Sequence, residues 1–218
     1  MNSTTVETPD AELLIATGCA HCGSELEALT RLLKEGLIGE LRISNIVPRP
    51  QRAEELGVRS VPWLRLGPFV LEGQHSETEL RHWAERANHI DGMSEYIREE
   101  LKQGHLDKLI DLLGRAPEYL PALIPLLEDS ETEMQVRIGI DAILESLDDK
   151  RKLRSLVADF SRLASHPDPR IRADAGYYLS LTGSSEAIPA LQKQLADESE
   201  DIREIAREGL QKLEAVEA

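Results

Sequence analysis

The chain has 218 residues, of which 41% are hydrophobic and only 4% are aromatic. This content of aliphatic residues is enough for a packed core and argues against wholesale disorder. The 40 Asp and Glu residues outnumber the 25 Lys and Arg residues and give a formal net charge of −15. Such a surface repels phosphate, so nucleic acid is not an expected partner.

The N-terminal segment does not have the pattern of a secretory signal. It contains no basic residue before its apolar run at residues 13–16, and that run is short. No stretch elsewhere approaches the roughly 20 apolar residues of a membrane-spanning helix. The expected compartment is therefore the cytoplasm, and a membrane is not an expected partner.

The first 92 residues alternate short strand patterns with helical ones. Residues 12–17 and 41–46 are predicted strands, and the helical spacing of leucines between them predicts a helix over 24–35. A strand, a helix and a second strand in this order form a crossover unit, so the two strands are expected to be parallel.

A hairpin and a further helix complete this region. Residues 63–66 and 69–71 are strand-like on either side of a Gly-Pro turn signal, and Ser76 with Glu79 forms a capping box at the start of a helix. The predicted order is β-α-β-α-β-β-α, followed by a joint over residues 88–94. The sequence therefore predicts one α/β domain of residues 1–92 and a second domain of residues 93–218.

The second domain is predicted to be entirely helical and to contain an internal repeat. A Leu/Ile-Pro-Ala-Leu motif occurs at 120–123 and again at 188–191. An apolar residue followed by Arg occurs three times with the same downstream spacing of small and apolar residues, at separations of 35 and 31 residues. The arginines of this signature are Arg137, Arg172 and Arg203. Recurrence at such periods is typical of stacked helical hairpins.

This pattern resembles HEAT repeats over roughly residues 117–214. The resemblance implies an α-solenoid with an extended surface for protein partners, and a non-repeating helical bundle is the alternative. The repeated arginines are expected to pair with Asp141, Asp174 or Glu204 along the stack. The excess of acidic residues predicts a protein partner with a basic patch.

The two cysteines of the chain, Cys19 and Cys22, lie between the first predicted strand and the first predicted helix. A Cys-x-x-C pair is typical of redox or of metal sites. Structural zinc needs four ligands, and here there is no second cysteine pair. His75, His82 and His89 recur every seven residues but are predicted to be surface residues. Redox chemistry is therefore favoured over a metal site or an inert pair, and neither a metal nor a cofactor is expected.

Residues 12–90 resemble thioredoxin-like proteins. The resemblance rests on the strand–Cys19-Ala20-His21-Cys22–helix unit, on the segment 53–62 that ends in Val61-Pro62, and on Gly73 after the hairpin. It implies a minimal thioredoxin-like fold, a cis Pro62 against the cysteine pair, and a Val61 backbone that binds the substrate. Leu13 stands where many members of the family have a buried Asp, which puts a carboxylate-assisted proton relay to the second cysteine in doubt.

The expected site residues are Cys19, Cys22 and His21, with Val61, Pro62 and Trp63 as substrate contacts. Cys19 faces the start of the helix, where a thiolate is favoured, so it is expected to attack the partner disulfide while Cys22 resolves the intermediate. His21 resembles the third residue of more oxidising Cys-x-His-Cys members, or it is simply solvated. Trp63 flanks the site or packs in the core.

The function predicted from these features is thiol–disulfide exchange on a protein partner, with the helical domain recruiting that partner. The alternative is a redox-sensing adaptor that changes its binding without turnover. In that alternative, the cysteine pair opens or closes its disulfide to alter an interaction surface.

Overall fold

The computed structural model describes residues 8–217, with side chains as far as Ala215. The chain divides into two compact units between Met93 and Ser94. Within the first unit the described elements follow the predicted order. They are β1 (Ala11–Ile15), α1 (Cys22–Lys34), β2 (Leu41–Asn45), α2 (Gln51–Leu56), β3 (Trp63–Leu66), β4 (Phe69–Glu72) and α3 (Glu77–Arg86).

The four strands form one mixed sheet in the order β2-β1-β3-β4. Strands β1 and β2 are parallel, as the crossover pattern predicts, and β3 pairs antiparallel with both β1 and β4. The predicted capping box is present, because the Ser76 side chain accepts from the Glu79 backbone while the Glu79 carboxylate accepts from the Ser76 backbone. The β3–β4 hairpin reverses the chain, so that β4 ends beside the start of β3, and α3 follows β4 in the chain.

Strand β1 is central and buried along most of its length, and this explains its apolar composition. Leu13 and Leu14 are fully buried, as are Leu29 and Leu32 on α1. Glu12 is the one charged residue of β1. It is nevertheless only 3% exposed, like its apolar neighbours. Its carboxylate accepts hydrogen bonds from Arg52 and Arg65, so two guanidinium groups compensate the buried charge.

The described part of the second unit is helical throughout, with short 3₁₀ segments before three of its helices. Helix α4 (Ile90–Lys102) contains the division between the units, and the helices after it are α5 (Leu106–Arg115), α6 (Ile124–Glu128), α7 (Met134–Ser146), α8 (Val157–Leu163), α9 (Pro169–Leu181), α10 (Ile188–Gln194) and α11 (Glu200–Glu217). The 3₁₀ segments are Pro117–Leu123, Lys150–Leu156 and Ser185–Ala187. Helix α4 begins inside the stretch predicted as a joint, so that stretch is helical from Ile90 onward.

Helices α7, α9 and α11 carry the repeated signature and pack against their neighbours through small residues. Ala175 and Ala206, each four positions after the apolar residue of the signature, are 1% and 0% exposed. At Gly139 on α7, a Cβ atom would lie 2.4 Å from Leu101 Cδ2, so any side chain there would force the buried Leu101 to shift. Absence of a side chain at Gly139 therefore allows α7 to approach Leu101 of α4.

The repeated arginines bind chiefly the turn that precedes their own helix. Arg172 donates to the carbonyls of His166 at 3.1 Å and Pro167 at 3.0 Å, and its guanidinium pairs with Asp197. Arg203 binds the corresponding carbonyls of Asp197 and Glu198, whereas Arg137 donates to the carbonyl of Leu127 near the end of α6 and to that of Asp129 in the turn that follows. Side chains on a helix point towards its N-terminus, and this directs each guanidinium back to the turn.

The acidic partners of these arginines agree only partly with the predicted ladder. Arg137 pairs with Asp174 at 3.3 Å, as predicted. Arg172 pairs instead with Asp197, and Arg203 with Glu200. The prediction was wrong for these two arginines because nearer carboxylates are available. Asp197 lies in the turn before α11, and Glu200 is the first residue of α11, the helix that also carries Arg203.

Candidate functional site

The sheet register brings two loops to the same end of the sheet in the first unit. Ile15 ends β1 and pairs with Asn45 at the end of β2, while Leu14 pairs with Trp63 at the start of β3. The loop that leaves β1 towards α1 and the loop that enters β3 therefore lie at the same end of the sheet. The Asn45 side-chain amide donates to the Thr17 hydroxyl at 3.0 Å and fastens the first of these loops to β2.

Cys19 and Cys22 form a disulfide at the start of α1, with their Cα atoms 5.5 Å apart. Cys22 is the first residue of the helix and is only 4% exposed, whereas Cys19 lies in the preceding loop and is half-buried. The backbone N–H of Cys22 donates to the Sγ atom of Cys19 at 3.2 Å. This donor and the positive end of the helix dipole would favour a thiolate at Cys19 after reduction of the disulfide.

His21 precedes α1 directly and its side chain is exposed. Its side chain makes no capping hydrogen bond to the helix, while its carbonyl accepts from the Ser24 hydroxyl at 2.9 Å. The His21 imidazole therefore does not cap the helix, and along the chain it lies between the two cysteines.

The Val61–Pro62 peptide bond is cis, as the resemblance to thioredoxin-like proteins implied. The Pro62 carbonyl accepts from the Gly73 N–H at 3.0 Å, so the residue after the hairpin holds the loop in place. Val61 is half-buried. Trp63 is only 5% exposed, so its indole contributes to the core and offers little surface to a peptide.

Two residues that the pattern analysis did not connect lie close to each other in the first unit. Glu25 lies on the buried side of α1, one helical turn after Cys22, and is fully buried. His75, predicted to be a surface residue, places its Nδ1 atom 3.6 Å from Glu25 Oε1, and its side chain is 18% exposed. The only sequence signal for this pair is a charged residue on a face that is otherwise apolar.

The second unit carries an acidic surface with exposed apolar residues on α7. Met134 and Ile138, one turn apart, are 65% and 59% exposed. Further along the same helix, Asp141 accepts from the hydroxyl of Tyr178 and Glu145 accepts from that of Tyr177 on α9. We call the residues Met134, Ile138, Asp141, Glu145, Asp174 and Tyr177 the acidic face.

Burial and hydrogen bonding shift the pKa values of several groups on the acidic face. It raises the pKa values of the Asp141 and Asp174 carboxyls, and the hydrogen bond to Glu145 raises the pKa of Tyr177 to about 12. Arg137, 8% exposed, partly compensates Asp174. The carboxyl groups of the acidic face are therefore partly desolvated.

A family model for HEAT repeats matches residues 120–211. These residues are HEAT repeats. The match covers the arginine signature and the acidic face, and it supports a role for this part of the chain in protein–protein interaction. No curated protein matches the chain.

Two further observations concern the described residues only. None of their helices is long and apolar enough to cross a membrane. Within the same residues, no group of three or more His, Cys, Asp and Glu side chains is arranged to hold a metal ion.

Proposed function

We propose that the first unit is a thioredoxin-like domain that exchanges disulfides with a protein partner. The observation that carries the proposal is the Cys19–Cys22 disulfide at the start of α1, at the end of the sheet where the chain enters β3 through Val61 and Pro62. The order of elements and the strand pairing support the same assignment. The half-buried Cys19 next to the almost fully buried Cys22 gives the two sulfurs different access to a partner.

In the reducing direction, the Cys19 thiolate attacks one sulfur of the partner disulfide. The partner's other sulfur leaves with the bonding electrons and takes a proton from water, and a mixed disulfide remains. Cys22 then attacks Cys19 Sγ, the Cys19–partner bond breaks, and the partner is released as a dithiol. The protein is oxidised to the Cys19–Cys22 disulfide while the partner is reduced.

The Val61 backbone, beside Pro62, binds the extended partner chain, and His21 contributes positive charge near Cys19 when protonated.

The HEAT repeats recruit the partner through the acidic face. Met134 and Ile138 provide exposed apolar area, and Asp141, Glu145 and Asp174 provide negative charge. A partner segment with basic residues around an apolar core complements both. Electrostatic attraction of this kind accelerates association and weakens with salt.

Trapping tests the exchange reaction. A Cys22→Ser variant cannot resolve a mixed disulfide, so it should accumulate partner proteins bound to Cys19, and a Cys19→Ser variant is the matched control that should capture none. The wild-type protein should also catalyse the reduction of insulin disulfides by dithiothreitol. A protein that shows no turnover, but binds a partner with an affinity that depends on its redox state, would instead be a redox-sensing adaptor.

Recruitment is tested on the trapped partner. Ile138→Ser and Glu145→Lys should each reduce the yield of the mixed disulfide without changing the rate at which small disulfides are reduced. Leu195→Ser, which also removes a partly exposed apolar side chain (40% exposed) from the repeats, is the control. An equal yield in all three variants would show that the acidic face does not recruit the partner.

A further inference from the structure

A carboxyl group without hydrogen bonds is buried three residues after the proposed resolving cysteine, on the same side of α1. Glu25 is 0% exposed, and neither of its carboxylate oxygens is hydrogen-bonded to any residue that the structure describes. Burying an ionisable group in this way is costly unless a charge partner compensates it. The neighbouring positions on the buried side of α1 are apolar, so packing alone does not explain a carboxyl at this site.

The position of Glu25 relative to Cys22 follows from the helix. The two residues are three positions apart on α1 and are both on its buried side. Side chains at this spacing are neighbours, with Cβ atoms about 5–6 Å apart. Because Cys22 is only 4% exposed, water has little access to its sulfur, and Glu25 is a nearby ionisable group on the same side of the helix.

His75 connects this carboxyl to solvent. Its Nδ1 atom is 3.6 Å from Glu25 Oε1, and the side chain is 18% exposed. The interaction with Glu25 raises the pKa of His75 above its ordinary value; burial opposes the shift, and Glu79 and the Gly73 backbone add to it. Glu79 is already occupied, because its carboxylate accepts from the N–H and the hydroxyl of Ser76, each at 2.7 Å.

We propose that Glu25, assisted by His75, accepts the proton of the Cys22 thiol when Cys22 resolves the mixed disulfide. This proposal rests on the disulfide exchange proposed above and assigns its proton-transfer step. The Cys22 proton moves to the Glu25 carboxylate, and the electron pair left on sulfur attacks Cys19 Sγ. The Cys19–partner bond breaks, and the partner sulfur takes the bonding electrons and a proton from water. The proton on Glu25 then leaves through His75 to solvent, so the pair is reset.

The experiment uses the reduced full-length chain and the aromatic disulfide DTNB, whose released thiolate is coloured. Cys19 attacks first and releases one thiolate, and Cys22 then displaces the second. Stopped-flow absorbance separates the two phases, and each is recorded as a function of pH. Because Glu25 serves only Cys22 in this proposal, only the second phase should depend on it.

Glu25→Gln keeps the shape of the side chain but cannot accept the proton. We expect the second phase to slow about tenfold or more at neutral pH, in line with the usual contribution of a general base. Its rate should then rise only as pH approaches the range of a free thiol, about 8.5. His75→Gln should displace the same pH profile by a smaller amount. Glu25→Leu, which removes the buried charge altogether, should behave like Glu25→Gln and covers the case in which the amide disturbs folding.

A second Glu–His pair in the chain provides the control. His105 Nδ1 lies 2.8 Å from Glu100 Oε2 in the second unit, away from either cysteine in the sequence. Glu100→Gln should leave both phases unchanged. A second phase with wild-type rate and pH profile in Glu25→Gln and Glu25→Leu would overturn the proposal, as would equal slowing of both phases. Failure of the disulfide exchange itself would show differently, as wild-type protein that reacts with DTNB but does not reduce insulin.

Discussion

Replacing Arg172 by Leu is expected to destabilise the HEAT repeats by about 2–4 kcal/mol. The guanidinium group contacts Asp197 Oδ2 at 2.8 Å and Oδ1 at 3.0 Å, and it donates to the carbonyls of His166 and Pro167. Both charged side chains are 11% exposed. The variant would therefore leave a largely buried carboxylate without its main partner and two carbonyls without their charged donor.

The magnitude follows from the burial of this pair. Removing one partner of a fully buried ion pair costs about 3–5 kcal/mol, and a hydrogen bond to a charged group contributes about 1.5–3 kcal/mol. These contributions overlap, and the residual exposure of Arg172 and Asp197 lets water compensate part of the loss. The expected cost is therefore below that of a fully buried pair and above the roughly 0–1 kcal/mol of an exposed one.

The effect should depend on pH with a definite sign. The hydrogen bond from Arg172 lowers the pKa of Asp197 below its ordinary value. A lowered pKa means that the pair stabilises the fold above the unfolded value of about 3.9 and that this stability is lost as pH falls towards the folded value. The difference in stability between wild type and Arg172→Leu should therefore be full at pH 7 and shrink below about pH 4.

Urea unfolding measures this difference. Both tryptophans, Trp63 and Trp83, lie in the first unit, whereas the four tyrosines lie in the second. Tryptophan fluorescence therefore reports the α/β unit and tyrosine signals report the helical unit, while far-UV circular dichroism follows the helices of both. Arg115→Leu is the control, because Arg115 is 80% exposed and pairs only with Asp111 at 2.7 Å. A loss in Arg172→Leu no larger than that in Arg115→Leu would refute the reasoning.

Three further predictions concern the first unit. Glu12→Gln should lower the free energy of unfolding of the first unit by about 2–3 kcal/mol, because a largely buried carboxylate paired with Arg52 is lost. Tryptophan fluorescence in urea measures this effect. Because Arg52 lowers the pKa of Glu12, the effect should fade as pH drops below about 4. In the reduced protein at neutral pH, iodoacetamide should modify Cys19 well before the more buried Cys22, and peptide mapping that found the reverse order would contradict the assigned roles. His21→Pro should lower the reduction potential by about 30 mV, which corresponds to one lost charge contact, and an unchanged equilibrium with glutathione would leave His21 without a role.

Local signals in the sequence were sufficient for the order of elements in the first unit. The capping box of Ser76 and Glu79 starts α3, and the leucines of α1 have helical spacing. Which side of α1 is buried was less well predicted. Leu33 is one of the leucines whose spacing predicted the helix, yet it is 36% exposed, whereas Glu25 is fully buried. Periodicity records side-chain type and does not identify the neighbours that a helix will meet.

In the second unit the repeat was recognisable because the same local arrangement recurs, and the family match over residues 120–211 confirms it. The predicted joint at 88–94 contains the division between the two units, which falls between Met93 and Ser94, but the chain is helical there, since α4 begins at Ile90 and continues to Lys102. Tertiary packing of its buried residues outweighs the low helix propensity of a single Gly92.

The cysteine pair, the position of Pro62 before a strand and the arginine signature are all properties of short stretches, and the sequence alone sufficed to locate them. The Glu25–His75 contact and the pairing of Arg172 with Asp197 join residues that are far apart along the chain. Such contacts depend on where the hairpin returns and on how one second helix is placed against the next turn. The position of the hairpin and the placement of the helices depend on the burial of many apolar side chains at once. The total free energy of that burial cannot be read from a short stretch of sequence.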